Sequence, residues 1–211
     1  MARATGAGES VQMSPTTAEA KTELRRSMRV RLQTLTPEAR SEASTRACAR
    51  LQEEGLWREA ASMLLYAPAP DELNVWPLVL DALRRNKVVA LPRFDAERNE
   101  YLACKVTDLE RDLQVGRFGL QEPSPSCAVI PINRLDFVAV PGVAFTLDGH
   151  RLGRGKGFYD RLLTAVRGIK CGVGFNEQIV SAIPTEPHDV RLDCILTPTH
   201  WRRTGRSASL K

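Results

Sequence analysis

Between residues 149 and 160 the chain reads Gly149-His150-Arg151-Leu152-Gly153-Arg154-Gly155-Lys156-Gly157-Phe158-Tyr159-Asp160. Glycine at 153, 155 and 157 removes the side chains that would keep the backbone away from a ligand and permits positive φ. Such a stretch can wrap. Its amides, with the N–H groups opening a helix from Phe158, would form an anion-binding concavity, and Arg151, Arg154 and Lys156 add positive charge. Phosphate suits that chemistry. Asp160, in the first turn of the helix, offers the hard oxygen that a magnesium ion accompanying nucleotide phosphates prefers.

Two well-known phosphate-binding templates do not fit. A Walker A loop ends in Gly-Lys-Ser/Thr, whereas Lys156 is followed by Gly157, and a Rossmann fingerprint has Gly-x-Gly-x-x-Gly close behind a strand. On composition alone, a flexible, solvated surface loop accounts for these residues equally well.

The elements that must position the loop are legible in outline. Ala20, Leu24, Met28 and Leu32 recur every four residues, predicting an amphipathic helix over 17–33. Lys21 and Arg25, four apart, share one face of it. Thr36-Pro37-Glu38 reads as N-cap, first-turn proline and first-turn acid of a second helix ending at Gly55. Short apolar runs at 62–66 and 88–91 flank a helical stretch at 75–85, a β-α-β succession. An edge strand is expected at 101–106, and the segment 114–132, with three prolines, is expected to lack regular structure over much of its length. A buried strand at 135–141, a helix at 158–166 and strands at 170–175 and 193–197 complete the set. Strands alternating with helices predict a single three-layer Rossmann-like α/β domain, mostly parallel, with helices on both faces.

The chain has 211 residues, 43% hydrophobic content and a net charge of +5. No run approaches the roughly 20 apolar residues of a membrane span. Residues 1–16 lack the apolar core of a secretory signal and read as a disordered leader, 17–200 as the domain and 201–211 as a basic tail. Cys48, Cys104, Cys127, Cys171 and Cys194 are odd in number and widely spaced, suggesting neither a disulfide framework nor a zinc site; they read as buried small apolar residues in a reducing cytosol.

The run Val140-Pro141-Gly142-Val143-Ala144-Phe145 followed by Asp148 to Arg161 resembles the signature of 5-formyltetrahydrofolate cyclo-ligases. Four further blocks resemble that family in order: Lys21-x-x-Leu24-Arg25, Asp71-Glu72-Leu73, Arg117-Phe118-Gly119-Leu120-Gln121-Glu122-Pro123, and Pro184-x-x-x-His188-Asp189-Val190-x-Leu192-Asp193. Two positions depart from the pattern, Asn74-Val75 after the second block and Phe158 where tyrosine is usual.

The resemblance implies the scaffold shared with sugar-phosphate isomerases and CoA transferases, dependence on ATP and Mg²⁺, and a reduced-folate substrate, 5-formyltetrahydrofolate with one or more glutamates. It assigns Lys21, Arg25, Arg151, Gly153, Arg154, Gly155, Lys156, Gly157, Phe158 and Tyr159 to ATP, and Glu72, Phe118 and Tyr159 to the folate. Asp160 and Asp189 fall on the metal side, and Arg154, Lys156 and Tyr159 at the chemistry. A cytoplasmic monomer with no nucleic-acid or membrane partner is expected. The rival readings are an isomerase or acyl-CoA-type transferase needing no ATP, and an RNA-binding protein using the basic loop and tail; few aromatics (6%) and no RNA-recognition motif weigh against the latter.

Overall fold

A computed structural model of the protein describes residues 16–116 and 119–205. Helix α1, Thr17–Gln33, opens on a capping box in which Thr16 and Glu19 satisfy each other's backbone amides. Helix α2, Pro37–Glu53, is capped by Thr36 and leads into the short α3, Gly55–Glu59. Strand β1, Ser62–Leu64, is joined by α4, Trp76–Arg84, to β2, Val88–Asp95. No side chain of Val75 caps α4, but the Asn74 carboxamide accepts from the Trp76 amide at 3.0 Å. Strand β3, Glu100–Val106, returns antiparallel along β2, as expected of an edge.

Regular structure does exist between 114 and 132. After the single turn α5, Leu109–Asp112, strands β4, Leu113–Val115, and β5, Gln121–Pro123, form an antiparallel hairpin. Three-residue strands are too short to show a period in sequence. The chain continues through β6, Phe137–Pro141, the two-residue ribbon β7, Ala144–Phe145, and β8, Arg151–Leu152, then α6, Phe158–Thr164, β9, Ile169–Val173, and β10, Cys194–Leu196. Residues read from sequence as the start of a tail form a further strand: β11, Trp201–Arg203, pairs antiparallel with β10. Residues 1–15 of the expected leader and the tail beyond Gly205 lie outside the described residues, whereas Thr16, read as the leader's last residue, caps α1.

The main sheet has the order β11-β10-β9-β6-β1-β2-β3. Its five central strands are parallel and both edges antiparallel. From β1 the chain steps to β2 on one side, and β6 lies on β1's other side. Adjacent crossovers leaving in opposite directions open a crevice at the carboxyl ends of β1 and β6.

Alternating strand residues feed two cores. Met63, Val89, Phe137, Ala139 and Cys171 pack with Leu51, Trp57 and Leu78 of α2, α3 and α4. Leu64, Ala90, Val138 and Val140 pack on the other face with Leu162 and Leu163 of α6. Four cysteines are buried, as expected, whereas Cys127 is partly exposed, and none of the five forms a disulfide. No helix among the described residues is long and apolar enough to cross a membrane.

The β4–β5 hairpin is anchored by Asp112, whose carboxylate accepts from the Thr107 amide at 2.7 Å, the Asp108 amide at 3.0 Å and Arg111 at 2.8 Å. Its main-chain carbonyl receives the Ser124 amide at 2.8 Å, tying the hairpin's exit to its entry. The Arg111 bond, then the Thr107 amide, hold the Asp112 carboxyl well below the usual carboxylate range. The folded carboxyl therefore keeps its charge to lower pH than the unfolded one. Its stabilisation is complete above about pH 4 and lost as pH falls toward the folded value. Asp112→Ala should cost about 1–3 kcal/mol at neutral pH. That deficit should shrink below pH 4, as followed by urea melts across pH.

Candidate active site

A cavity of about 470 Å³ occupies the crevice. Tyr66 and Ala67 line it just past β1, and Pro141 and Gly142 at the end of β6, so the sheet's connectivity places it. One wall is the loop Gly153 to Gly157 with Arg151 and Asp160; the facing residues include Glu72, Tyr101 and Glu122. Every residue from Arg151 to Tyr159 assigned to ATP, except the buried Leu152 that the assignment omitted, lies in this lining.

The loop's shape comes from its glycines. Gly155 has φ +96° and Gly157 φ +66°, the latter starting α6 from a left-handed conformation that L side chains rarely adopt. Arg151 fixes the loop to the sheet. Almost wholly buried, it donates to Asp160 Oδ1 at 2.7 Å and to the Pro141 carbonyl at 3.3 Å, and its guanidinium stands 5.7 Å from the Tyr159 ring centre. Arg154 and Lys156 are exposed. The Arg154 guanidinium meets Asp71 at 2.6 Å and Glu72 at 3.0 Å.

Aromatic rings gather at one end. Tyr101 contacts Phe94, Phe158 and Tyr159 with ring centres 5.8, 5.4 and 6.0 Å apart. Phe158, without the usual hydroxyl, fills its place by edge contacts and lies under Arg161. Burial, reinforced by Glu72, pushes the Tyr159 hydroxyl far above its ordinary pKa, so it is a neutral hydrogen-bond donor throughout the physiological range. Phe118 and its neighbour Arg117 lie outside the described residues.

The structure separates the α1 residues from the cavity lining. Arg25 reaches the loop from behind, its Nε donating to the Gly153 carbonyl at 2.9 Å. Lys21 is buried, contrary to a solvated helix face, with Nζ 2.6 Å from Asp189 and 2.8 Å from Glu186. Burial works against the ammonium charge, but these carboxylates outweigh it and raise the Lys21 pKa. Asp189 likewise lies outside the cavity lining that contains Asp160, and it groups with Glu186 and His188, their ligand atoms within 4.8 Å of one another. Sequence reading gave no role to Tyr66, Tyr101 or Glu122. The signal available was the presence of Glu122 in a family block; Tyr66 and Tyr101 stood in no motif.

Fold and site together define an α/β protein with a cationic glycine loop and an aromatic, acidic wall meeting at a topological switch point. Residues 17–198 match the model of the 5-formyltetrahydrofolate cyclo-ligase family. The chain is 31% identical over 176 residues to the 5-formyltetrahydrofolate cyclo-ligase of Escherichia coli K12, covering 82% of this chain and 97% of that one. The mouse enzyme of the same name is 26% identical over 86% of this chain and 95% of its own. Among solved structures, the 5,10-methenyltetrahydrofolate synthetase of Aquifex aeolicus superposes with a TM-score of 0.79 at 35% identity, covering 90% of this chain and 96% of that one. The chain belongs to the 5-formyltetrahydrofolate cyclo-ligase family and is an enzyme, a ligase.

Replacing Lys21 by Met keeps the stem's bulk and leaves Asp189 and Glu186 without their cation. Thermal unfolding should show a loss of about 1–3 kcal/mol. An unchanged melting temperature would show that the pair does not hold α1 in place.

Proposed function

We propose that the protein closes 5-formyltetrahydrofolate to 5,10-methenyltetrahydrofolate with consumption of ATP and release of ADP and phosphate. The observation that carries the reading is one cavity with two unlike walls: Gly153 to Gly157 with Arg154 and Lys156 suit a phosphate chain, and Tyr101, Phe158 and Tyr159 with Glu72 suit a planar heterocycle bearing N–H donors.

A formamide resists attack because its nitrogen lone pair is delocalised into the carbonyl. Transfer of the γ-phosphoryl group to the formyl oxygen makes that oxygen a leaving group. N10 then attacks the formyl carbon and loses its proton, and the C–O bond breaks to release phosphate. The chain's own work is alignment and charge neutralisation. In this reading Arg154 and Lys156 neutralise the oxygens of the transferring phosphoryl, loop amides between Gly153 and Gly157 hold the phosphates, and Arg25 braces the loop through Gly153. Arg151 sets the position of Asp160. Tyr159 donates a hydrogen bond at the reacting end, and Glu72, with Phe118, contacts the folate. Lys21 acts from behind, through Asp189.

The donors suit magnesium in part. Asp160 lies in the wall formed by the glycine loop with one oxygen on Arg151, and a single carboxylate plus phosphates is an ordinary magnesium arrangement. Asp189, bonded to Lys21 and outside the cavity lining, would be the second metal-side carboxylate. Bound there with ATP, magnesium would supply charge neutralisation to the triphosphate. A cytoplasmic monomer acting on mono- or polyglutamylated folate, without nucleic acid, completes the proposal.

The methenyl product absorbs in the near ultraviolet. It should form only when 5-formyltetrahydrofolate, ATP and Mg²⁺ are all present, and formation without ATP would refute the mechanism. Lys156→Ala should lower kcat/KM by about 100-fold or more with little change in melting temperature. Asp160→Asn, which keeps an acceptor for buried Arg151, should do the same; full activity in either variant removes that residue from the chemistry.

A further inference from the structure

Two carboxylates face the aromatic part of the cavity, and their partners differ. Glu72 is occupied on both oxygens: Oε1 receives Arg154 at 3.0 and 3.3 Å, and Oε2 receives the Ala69 amide at 3.0 Å. Glu122, on β5, is 9% exposed and lines the cavity, yet it receives one long bond, from the Phe94 amide at 3.4 Å. No ion pair among the described residues includes it. Arg93 attracts it electrostatically, but that guanidinium donates to the Ser124 carbonyl at 2.7 Å. Nor can the carboxylate withdraw into the hairpin, because it is packed on Gly116, where a Cβ would stand 2.3 Å from Glu122 Cδ.

A buried carboxylate with one long bond costs stability unless a partner arrives. Burial accordingly lifts the Glu122 carboxyl above its ordinary pKa. What the position lacks is a ligand that donates N–H and has a flat ring for the neighbouring Tyr101. A tetrahydropteridine has both, with ring N–H groups and an exocyclic amine along its edge.

We propose that Glu122 is a substrate-specificity residue, its carboxylate accepting hydrogen bonds from the N–H edge of the pteridine while Glu72 remains tied to Arg154. The inference rests on the folate-cyclising function above and assigns that site a second acidic contact. Its corollary concerns stability: without substrate the residue is a liability, so removing it should not harm the fold.

Steady-state kinetics and thermal melts of full-length wild type, Glu122→Ala and Glu122→Gln test it. In Glu122→Ala the KM for 5-formyltetrahydrofolate should rise about 10-fold or more, as expected for loss of a charge-assisted hydrogen bond. Glu122→Gln, which keeps a neutral acceptor, should rise by about threefold. In both, the KM for Mg-ATP should stay within about twofold, and melting temperature should be unchanged or higher. A folate KM equal to wild type, a loss confined to kcat, or parallel rises in both KM values with a lower melting temperature would each overturn the assignment while leaving the cyclising function intact. Wild-type protein that forms no methenyl product would refute the function, and the proposal with it.

Discussion

A single buried guanidinium organises the site. Arg151 reaches the end of β6 through the Pro141 carbonyl, α6 through Asp160, and the aromatic wall through Tyr159. A charge so buried is tolerable only when paired and hydrogen-bonded, and removing one partner would strand the other. The glycine loop is thereby fixed at both ends, although its middle has the freedom of a chain poor in side chains. Phosphate-type chemistry needs that combination: ends fixed to the sheet and amides free to follow the ligand.

The remaining charges divide by exposure. Lys21 with Asp189 is largely buried, and the pair joins α1 to the segment that contains Glu186 and His188. Arg25, one turn further along α1, transmits that position to the Gly153 carbonyl. Arg154 and Asp71 are each more than half exposed, and exposed pairs contribute little, about 0–1 kcal/mol. Arg154 can release Asp71 toward a phosphate at small cost while its bond to the largely buried Glu72 remains. The buried pairs fix the site's shape, and the exposed ones remain available for exchange.

The residues around the cavity also come from different parts of the sheet. The loop follows β6, in the parallel centre, and lies where the connectivity must open a crevice. Two of the opposing residues come from the antiparallel edge and its satellite hairpin, Tyr101 from β3 and Glu122 from β5, while Glu72 follows β1 and Phe158 and Tyr159 open α6. An edge strand can be altered without rewinding the parallel centre.

Local chemistry determined much of this protein. Thr16 and Thr36 cap their helices as their positions require, short apolar runs set the central strands, and the glycines at 155 and 157 adopt the positive φ that glycine permits. These features depend on neighbours within a few residues, and a sequence displays such neighbours directly. The tertiary structure decided the rest: Lys21 meets Asp189 168 residues along the chain, Arg154 meets Glu72 82 residues away, and Trp201 to Arg203 join the sheet only because β10 already lies in it. Whether a lysine on an amphipathic helix is solvated or buried depends on what folds over it, and whether a glutamate in a short strand is paired depends on what the next hairpin brings near. Neither property exists in the chain until the sheet has assembled.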